Sequence, residues 1–305
     1  MESGMTASSG TRDGLDLSGR ACIVTGAARG IGAAEARLLA RRGAAVLCAD
    51  LADSGPLTEE IRDAGGTAVA WQGDLTEKGA AEDVLEAAEG FGVPVSVLVN
   101  NAGIVRDRMV FNLDDDDWEA VLAVNLTAPF RLCRALARHW RARPGGGRRI
   151  VNTSSESGLY GNAGQGNYAA AKAGLASLTL TMAAELGRYG VCVNAIAPRA
   201  RTPMSEAAFG GLPDGALPAE RIATVVAWLA GPEGEDVTGQ VFVVAGGTVR
   251  RMRTWSPVRT AVQPADWSAE SAARFRDGLF SGDDTRYVPT PIGALFTEGS
   301  GEGLG

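Results

Sequence analysis

The stretch that most restricts how this chain folds lies near its N-terminus. A short apolar run, Arg20-Ala21-Cys22-Ile23-Val24-Thr25, is followed by Gly26-Ala27-Ala28-Arg29-Gly30-Ile31-Gly32 and then by an Ala/Leu/Arg-rich segment to about Arg42. In order these read as a buried strand, a glycine-rich turn and a helix. Glycines let a backbone approach a pyrophosphate, and the helix N-terminus supplies amide donors and a favourable dipole. The combination predicts a dinucleotide site, with the spacing G-x-x-x-G-x-G in place of the commoner G-x-G-x-x-G.

The same alternation continues downstream. Strands are expected over 20–25, 44–49, 67–72, 95–99, 149–153, 191–197 and 240–245, separated by helices over 58–64, 78–89, 118–143, 168–187 and 218–230. Such alternation implies an α/β fold: a doubly wound parallel sheet of seven strands with helices on both faces. One domain over residues 19–247 accounts for it. Residues 1–18 are Ser/Gly/Thr-rich without an apolar core and read as a disordered leader, not a secretory signal. From Thr248 the periodicity is lost, and 248–305 reads as a partly ordered extension carrying Arg250, Arg251 and Arg253. This extension is expected to cover the active site, with those arginines near anionic substrate groups, or to lie at a subunit surface.

Charge and cysteines narrow the function. A net charge of −7 leaves no cationic excess for nucleic acid. No apolar run approaches the ~20 residues needed to span a bilayer. Cys22, Cys48, Cys133 and Cys192 have no C-x-x-C spacing and lie in apolar segments, so they read as small core residues in a reducing, cytoplasmic setting, with no metal site. The single histidine, His139, lies in a basic helical run, which argues against a Ser/His/Asp hydrolase.

The chemistry concentrates in Ser154-Ser155-Glu156, a Gly/Asn-rich turn, and Asn167-Tyr168-Ala169-Ala170-Ala171-Lys172. Tyr168 and Lys172 stand one helical turn apart on one face. A free phenol titrates near ~10 and is a poor base, but a nearby ammonium favours the phenolate. Lowering its pKa by ~3 units corresponds to about 4 kcal/mol, which would make Tyr168 an acid/base at working pH. Ser155 is placed to donate a hydrogen bond to the substrate oxygen. Taken alone, the pair reads far more readily as a half-buried aromatic beside a solvated lysine, and it is the rest of the chain that reverses this.

Other residues supply the nucleotide site. Asp50 ends the second strand, where a carboxylate accepts from the adenosine ribose and repels a 2′-phosphate; this favours NAD over NADP, although Arg29 beside it suits a 2′-phosphate. Asp74 is placed to touch the adenine or to cap the next helix. Asn100-Asn101-Ala102-Gly103 end the fourth strand, where this sheet type opens its ligand crevice. Asp114, Asp115, Asp116 and Asp117 complement a helix N-terminus. Asn125, inside that helix, is a poor helix former with a buried amide to satisfy, and is a candidate functional residue.

Together, Thr25-Gly26…Gly30-Ile31-Gly32, Asp74-Leu75, Asn100-Asn101-Ala102-Gly103, Asn125 and Ser155…Tyr168…Lys172 resemble the short-chain dehydrogenase/reductase family from about Leu17 to Gly247. The resemblance implies a Rossmann-type single domain and an NAD(P)-dependent oxidoreductase acting on a secondary alcohol or ketone. It implies catalytic Asn125, Ser155, Tyr168 and Lys172, with Asn125 anchoring a water and Ser155 chosen over Ser154 by its separation from Tyr168. For the nucleotide it implies Gly26, Arg29, Gly30, Ile31, Gly32, Asp50, Asp74, Leu75, Asn101, Ala102, Gly103, Tyr168, Lys172, Pro198 and Thr202. The substrate pocket falls to Leu159, Tyr160, Gln165, Arg199 and Met204.

The chain departs from the family pattern after the sixth strand, where Arg199 replaces the usual glycine of Pro-Gly and the lid before Ile222 is short. That departure resembles hydroxyacyl-CoA dehydrogenase units more than acyl-carrier-protein reductases. It leaves an open pocket suited to a 3-hydroxyacyl thioester or a bulky cyclic alcohol. An NADPH-dependent biosynthetic ketoreductase and a non-catalytic nucleotide-sensing protein are the alternatives. A homodimer or homotetramer is implied, acting on a small molecule without nucleic acid or membrane.

Overall fold

The computed structural model describes residues 15–143, 145–205, 213, 215–253, 255–263 and 268–280. The chain divides into two compact units, with the boundary between Arg251 and Met252. Within the second unit the described helix is Ala269–Phe280, and Ser268 caps it by accepting from the amide of Ser271. The first unit holds the sheet.

Strands β1 (Ala21–Thr25), β2 (Ala45–Asp50), β3 (Thr67–Gln72), β4 (Val95–Asn100), β5 (Arg148–Thr153), β6 (Val191–Arg199), β7 (Val241–Ala245) and β8 (Thr248–Met252) lie in the order β3-β2-β1-β4-β5-β6-β7-β8. From β3 to β7 the neighbours pair in parallel. The sheet therefore has eight strands where seven were expected. The additional strand follows β7 after two residues, Gly246 and Gly247, a connection short enough to force an antiparallel hairpin. Its run, Thr248-Val249-Arg250-Arg251-Met252, carries no alternation of apolar and polar residues, because this edge strand is mostly exposed.

Along the strands, alternate side chains enter two cores. Cys22, Val24, Val46, Cys48, Val97 and Val99 face one, while Ala21, Ile23, Leu47, Ala49 and Leu98 face the other. The first core is closed by α1 (Gly30–Arg41) and α2 (Gly55–Asp63), together with a helix over Ala219–Ala230. The second is closed by α3 (Ala80–Glu89), by α5 (Ala128–Arg141), which follows α4 (Asp115–Leu122), and by α7 (Gly166–Leu186), which follows the short α6 (Glu156–Tyr160). The helix over Ala219–Ala230 is α8, and that of the second unit is α9.

The end of the expected leader belongs to this core. Leu17 is fully buried and its amide donates to the carbonyl of Arg42 at 2.8 Å, so the ordered chain begins before residue 19. Leu15 and Leu17 flank Asp16, an apolar–polar alternation that composition alone conceals. Residues 1–14 lie outside the described residues, as do 206–212 and 214 of the expected short lid.

Because β2 and β3 lie on one side of β1 and β4 to β7 on the other, chain direction across the sheet reverses between β1 and β4. In doubly wound sheets the ligand crevice lies outside the strand C-termini at that point. The turn after β1 and the residues after β4 both end there.

Candidate active site

The glycine-rich turn is fastened to the end of β4. The hydroxyl of Thr25 accepts from the amides of Asn101 and Ala102, each at 3.0 Å, and the Asn101 amide side chain donates back to the carbonyls of Thr25 and Gly26. A Cβ on Gly32 would lie 2.2 Å from the Gly26 carbonyl, and one on Gly26 would lie 2.8 Å from the Ala102 Cα. No side chain fits at either place. At the N-terminus of α1, Arg29 makes no side-chain cap, and the first turn holds no acid. Its amides are thus left to an external anion, which fits a pyrophosphate.

The other residues expected to hold the nucleotide fall as follows. Asp50 accepts from the amides of Ala28 and Ala52 at 2.9 Å each, so its carboxylate is held against the glycine turn. Thr202 reaches across from the other side, because a Cβ on Gly30 would meet its methyl at 3.4 Å. A cavity of about 620 Å³ opens beside it, lined by Arg201, Thr202, Pro203, Leu217 and Glu220 among others. Asp74 accepts from the amide and hydroxyl of Thr76, which makes it a turn-former ahead of α3 and not its cap. Leu75 packs against the second core.

Around Tyr168 and Lys172 the helix spacing holds. Tyr168 and Lys172 lie on α7, with the lysine Nζ 5.6 Å from the ring centroid of the tyrosine. Ser155 caps α6 by accepting from the amide of Ser157 at 3.2 Å, and its hydroxyl is the polar neighbour that favours the ionised form of the Tyr168 phenol. Ser154 points elsewhere, its hydroxyl donating to the carbonyl of Lys172 at 2.8 Å. Lys172 is buried and donates to the carbonyl of Thr153 at 2.7 Å.

The titration of this pair differs from the sequence expectation. Desolvation raises the Tyr168 phenol above its ordinary value; the Ser155 hydrogen bond opposes this and the charge of Asp107 adds to it. Burial likewise pulls Lys172 down to about 7. A buried lysine is a weaker source of positive charge than a solvated one, so Lys172 alone does not depress the phenol.

Asn125 sits in a π-helical turn, Ala123–Thr127, between α4 and α5. The cause is local: Pro129, four residues on, has no N–H to give to the Asn125 carbonyl, and its ring would collide with that carbonyl in a regular helix. The Asn125 side chain donates to the carbonyls of Val121 at 3.0 Å and Ile104 at 2.9 Å, while its Oδ1 is buried without a hydrogen-bond partner. A Cβ on Gly103 would lie 2.6 Å from that Oδ1 and 3.5 Å from the Lys172 Nζ, so asparagine and lysine flank one glycine.

Residues 20–210 match the family model for short chain dehydrogenase. The chain belongs to the short-chain dehydrogenase family. It is therefore an oxidoreductase that moves a hydride between a nicotinamide nucleotide and a CH–OH group. Hydroxyacyl-CoA dehydrogenase ChsB1 of Mycobacterium tuberculosis is 44% identical over 307 residues, covering 94% of this chain and 90% of that protein. The 3-oxoacyl-[acyl-carrier-protein] reductase FabG of Vibrio cholerae is 40% identical, covering 76% of this chain and 98% of that protein. Among solved structures, a short chain dehydrogenase from Mycobacterium avium superposes with a TM-score of 0.81 at 41% identity, over 90% of this chain and 98% of that one.

Two of the residues expected at the substrate pocket are engaged by partners within the protein. Arg199 is buried and forms a two-pronged ion pair with Glu156, through Nε and through Nη2 at 2.8 Å, so its guanidinium is committed within the protein. Gln165 is likewise engaged, bonding to Asp107, Ser157 and Asn162. Leu159 and Tyr160 lie on α6 beside the site, and Met204 is half exposed. Sequence reasoning passed over Asn167. Its side chain is fully buried, donates to the carbonyls of Arg106 and Asp117, and accepts from the amide of Tyr168 at 2.8 Å, which fixes the start of α7. An asparagine adjoining Tyr168 in the first turn of a helix was the available signal.

Proposed function

We propose that the protein interconverts a 3-hydroxyacyl and a 3-oxoacyl thioester, with NAD as its nucleotide. The observation that carries the reading is the convergence of Ser155, Tyr168, Lys172 and Asn125 on the crevice beside the glycine turn. When bound, the nucleotide supplies the hydride chemistry. Tyr168 holds or gives the proton of the substrate oxygen, and Ser155 orients that oxygen while hydrogen-bonding the phenol. Lys172 would hold the ribose and carry positive charge once protonated. The free Oδ1 of Asn125 is an acceptor for a water that relays the proton onward.

The thioester preference is supported by the mycobacterial relative named a hydroxyacyl-CoA dehydrogenase, whose match takes in most of the segment beyond Gly247. The oligomer we propose, a homodimer or homotetramer, is supported by Trp118 on α4 and Phe130 on α5, both more than a third exposed. Hydroxyacyl-CoAs, steroids and cyclic alcohols assayed with each nucleotide by absorbance test the substrate class; turnover of alcohols with none of the acyl thioesters would refute it.

The NAD preference rests on Asp50. Beside the ribose its carboxylate gains a charge-assisted hydrogen bond and opposes a phosphate, so NADH is expected to bind at least about tenfold more tightly than NADPH. In Asp50→Asn the acceptor remains while the charge is lost, and the gap should close. Fluorescence titration reads both, and tighter NADPH binding by the wild type would contradict the role of Asp50.

A further inference from the structure

Beyond the four proposed catalytic residues, the crest of the sheet carries a buried ion pair. The β5/β6 ladder pairs Thr153 with Ile196, and the amide of Ser154 extends it by donating to the Ile196 carbonyl at 2.7 Å. Glu156 and Arg199 each lie three residues past that pairing and meet directly above it. Their side chains are each 7% exposed, and both carboxylate oxygens are engaged by the guanidinium fork. The ion pairs Arg37–Glu60, Arg106–Asp117 and Arg143–Glu89, by contrast, each have at least one partner more than a third exposed.

A buried ion pair is a poor device for stability alone, since its desolvation cost consumes much of the attraction and apolar residues of similar size often serve as well. What a forked Arg–carboxylate pair supplies is geometry. Here the geometry falls on Ser155. Glu156 is its covalent neighbour, and Ser155 is the extended cap residue of α6, its hydroxyl accepting from the Ser157 amide and favouring the ionised form of the Tyr168 phenol. The fork on the Glu156 carboxylate thus tethers the residue next to Ser155 to the end of β6.

We infer that Glu156 and Arg199 are a positioning pair, clamping the Ser155 turn to the end of β6 so that the serine hydroxyl is held against Tyr168. The inference rests on the role of Ser155 proposed above. The loop that follows Arg199, with Thr202 hydrogen-bonded to Ser205, starts from the same clamp.

Replacing both partners by apolar residues separates positioning from stability. E156L/R199M removes both charges of the pair together, so unfolding temperature and nucleotide affinity should stay near those of the wild type. The kcat should nevertheless fall at least tenfold, because a misplaced donor costs rate out of proportion to its displacement, with KM moving much less. Any secondary alcohol that the wild type turns over serves as substrate, so failure on acyl thioesters leaves this comparison intact. In a Ser155→Ala background the same double replacement should cost nothing further, as expected if the pair acts through that serine. Wild-type kcat in E156L/R199M, or a full additional loss in the Ser155→Ala background, would overturn the inference. Should the double variant fail to fold, Arg199→Lys keeps the charge and removes the fork; kcat must then fall with nucleotide affinity unchanged, and an unaltered kcat rejects the clamp.

Discussion

Tyr168→Phe is expected to reduce kcat roughly a thousandfold, the range lost when a positioned acid/base is removed, while nucleotide affinity stays within about twofold. The phenol hydroxyl is the group on α7 whose ionised form Ser155 favours and which can exchange a proton with the substrate oxygen. The ring itself remains in phenylalanine, so the packing that seats Lys172 beside it is kept. The pH profile adds a second readout. With desolvation raising the phenol, the ligand-free site keeps Tyr168 protonated through neutrality, ready as the acid for ketone reduction. Alcohol oxidation needs the phenolate, so its rate should climb with pH. Steady-state rates in both directions, with nucleotide binding followed by fluorescence, measure this; a Tyr168→Phe variant that keeps even a tenth of the wild-type kcat removes Tyr168 from the mechanism.

The relative placement of Tyr168 and Lys172 was legible because helical spacing is rigid. Four residues on α7 fix Tyr168 against Lys172 whatever surrounds them. The glycine turn was legible for a similar reason, since a Cβ at Gly32 has nowhere to go. Electrostatics was not, because the sign of a pKa shift depends on burial. Lys172, which a spacing argument treats as a solvated ammonium, lies 2% exposed and loses much of its basicity. Arg199 shows the same limit. Its sequence neighbours placed it at the pocket, but its partner Glu156 lies 43 residues away and meets it through β5/β6 register. Asn125 was found as a misfit in a helix, whereas the π turn that presents it follows from Pro129, whose effect is felt four residues upstream. The hairpin strand β8 escaped because an exposed edge need not alternate.

Replacing Glu35 by glutamine is expected to stabilise the protein increasingly as pH rises. Glu35 lies in α1, fully buried, with neither carboxylate oxygen hydrogen-bonded, and burial alone pushes its carboxyl up to about 8. In the unfolded chain the same group titrates near ~4.3. Between those values the folded protein retains a proton that the unfolded chain releases, so stability falls as pH rises and levels off above the folded pKa. At about 1.4 kcal/mol per pH unit, the wild type loses about 3–4 kcal/mol by pH 7 relative to acid conditions. Lys172 has the opposite sign. Its folded pKa of about 7 lies below the unfolded value, so it favours the folded state as pH rises from about 7 toward ~10. The wild-type curve is therefore a composite, and the comparison with Glu35→Gln isolates the carboxyl, because an amide leaves similar buried polar atoms but carries no titration. Urea unfolding at pH 5 and pH 8 should show the gap between the two proteins widening by about 4 kcal/mol. A constant gap would mean that the carboxyl ionises at its ordinary pKa, and hence that α1 admits water or a cation to it.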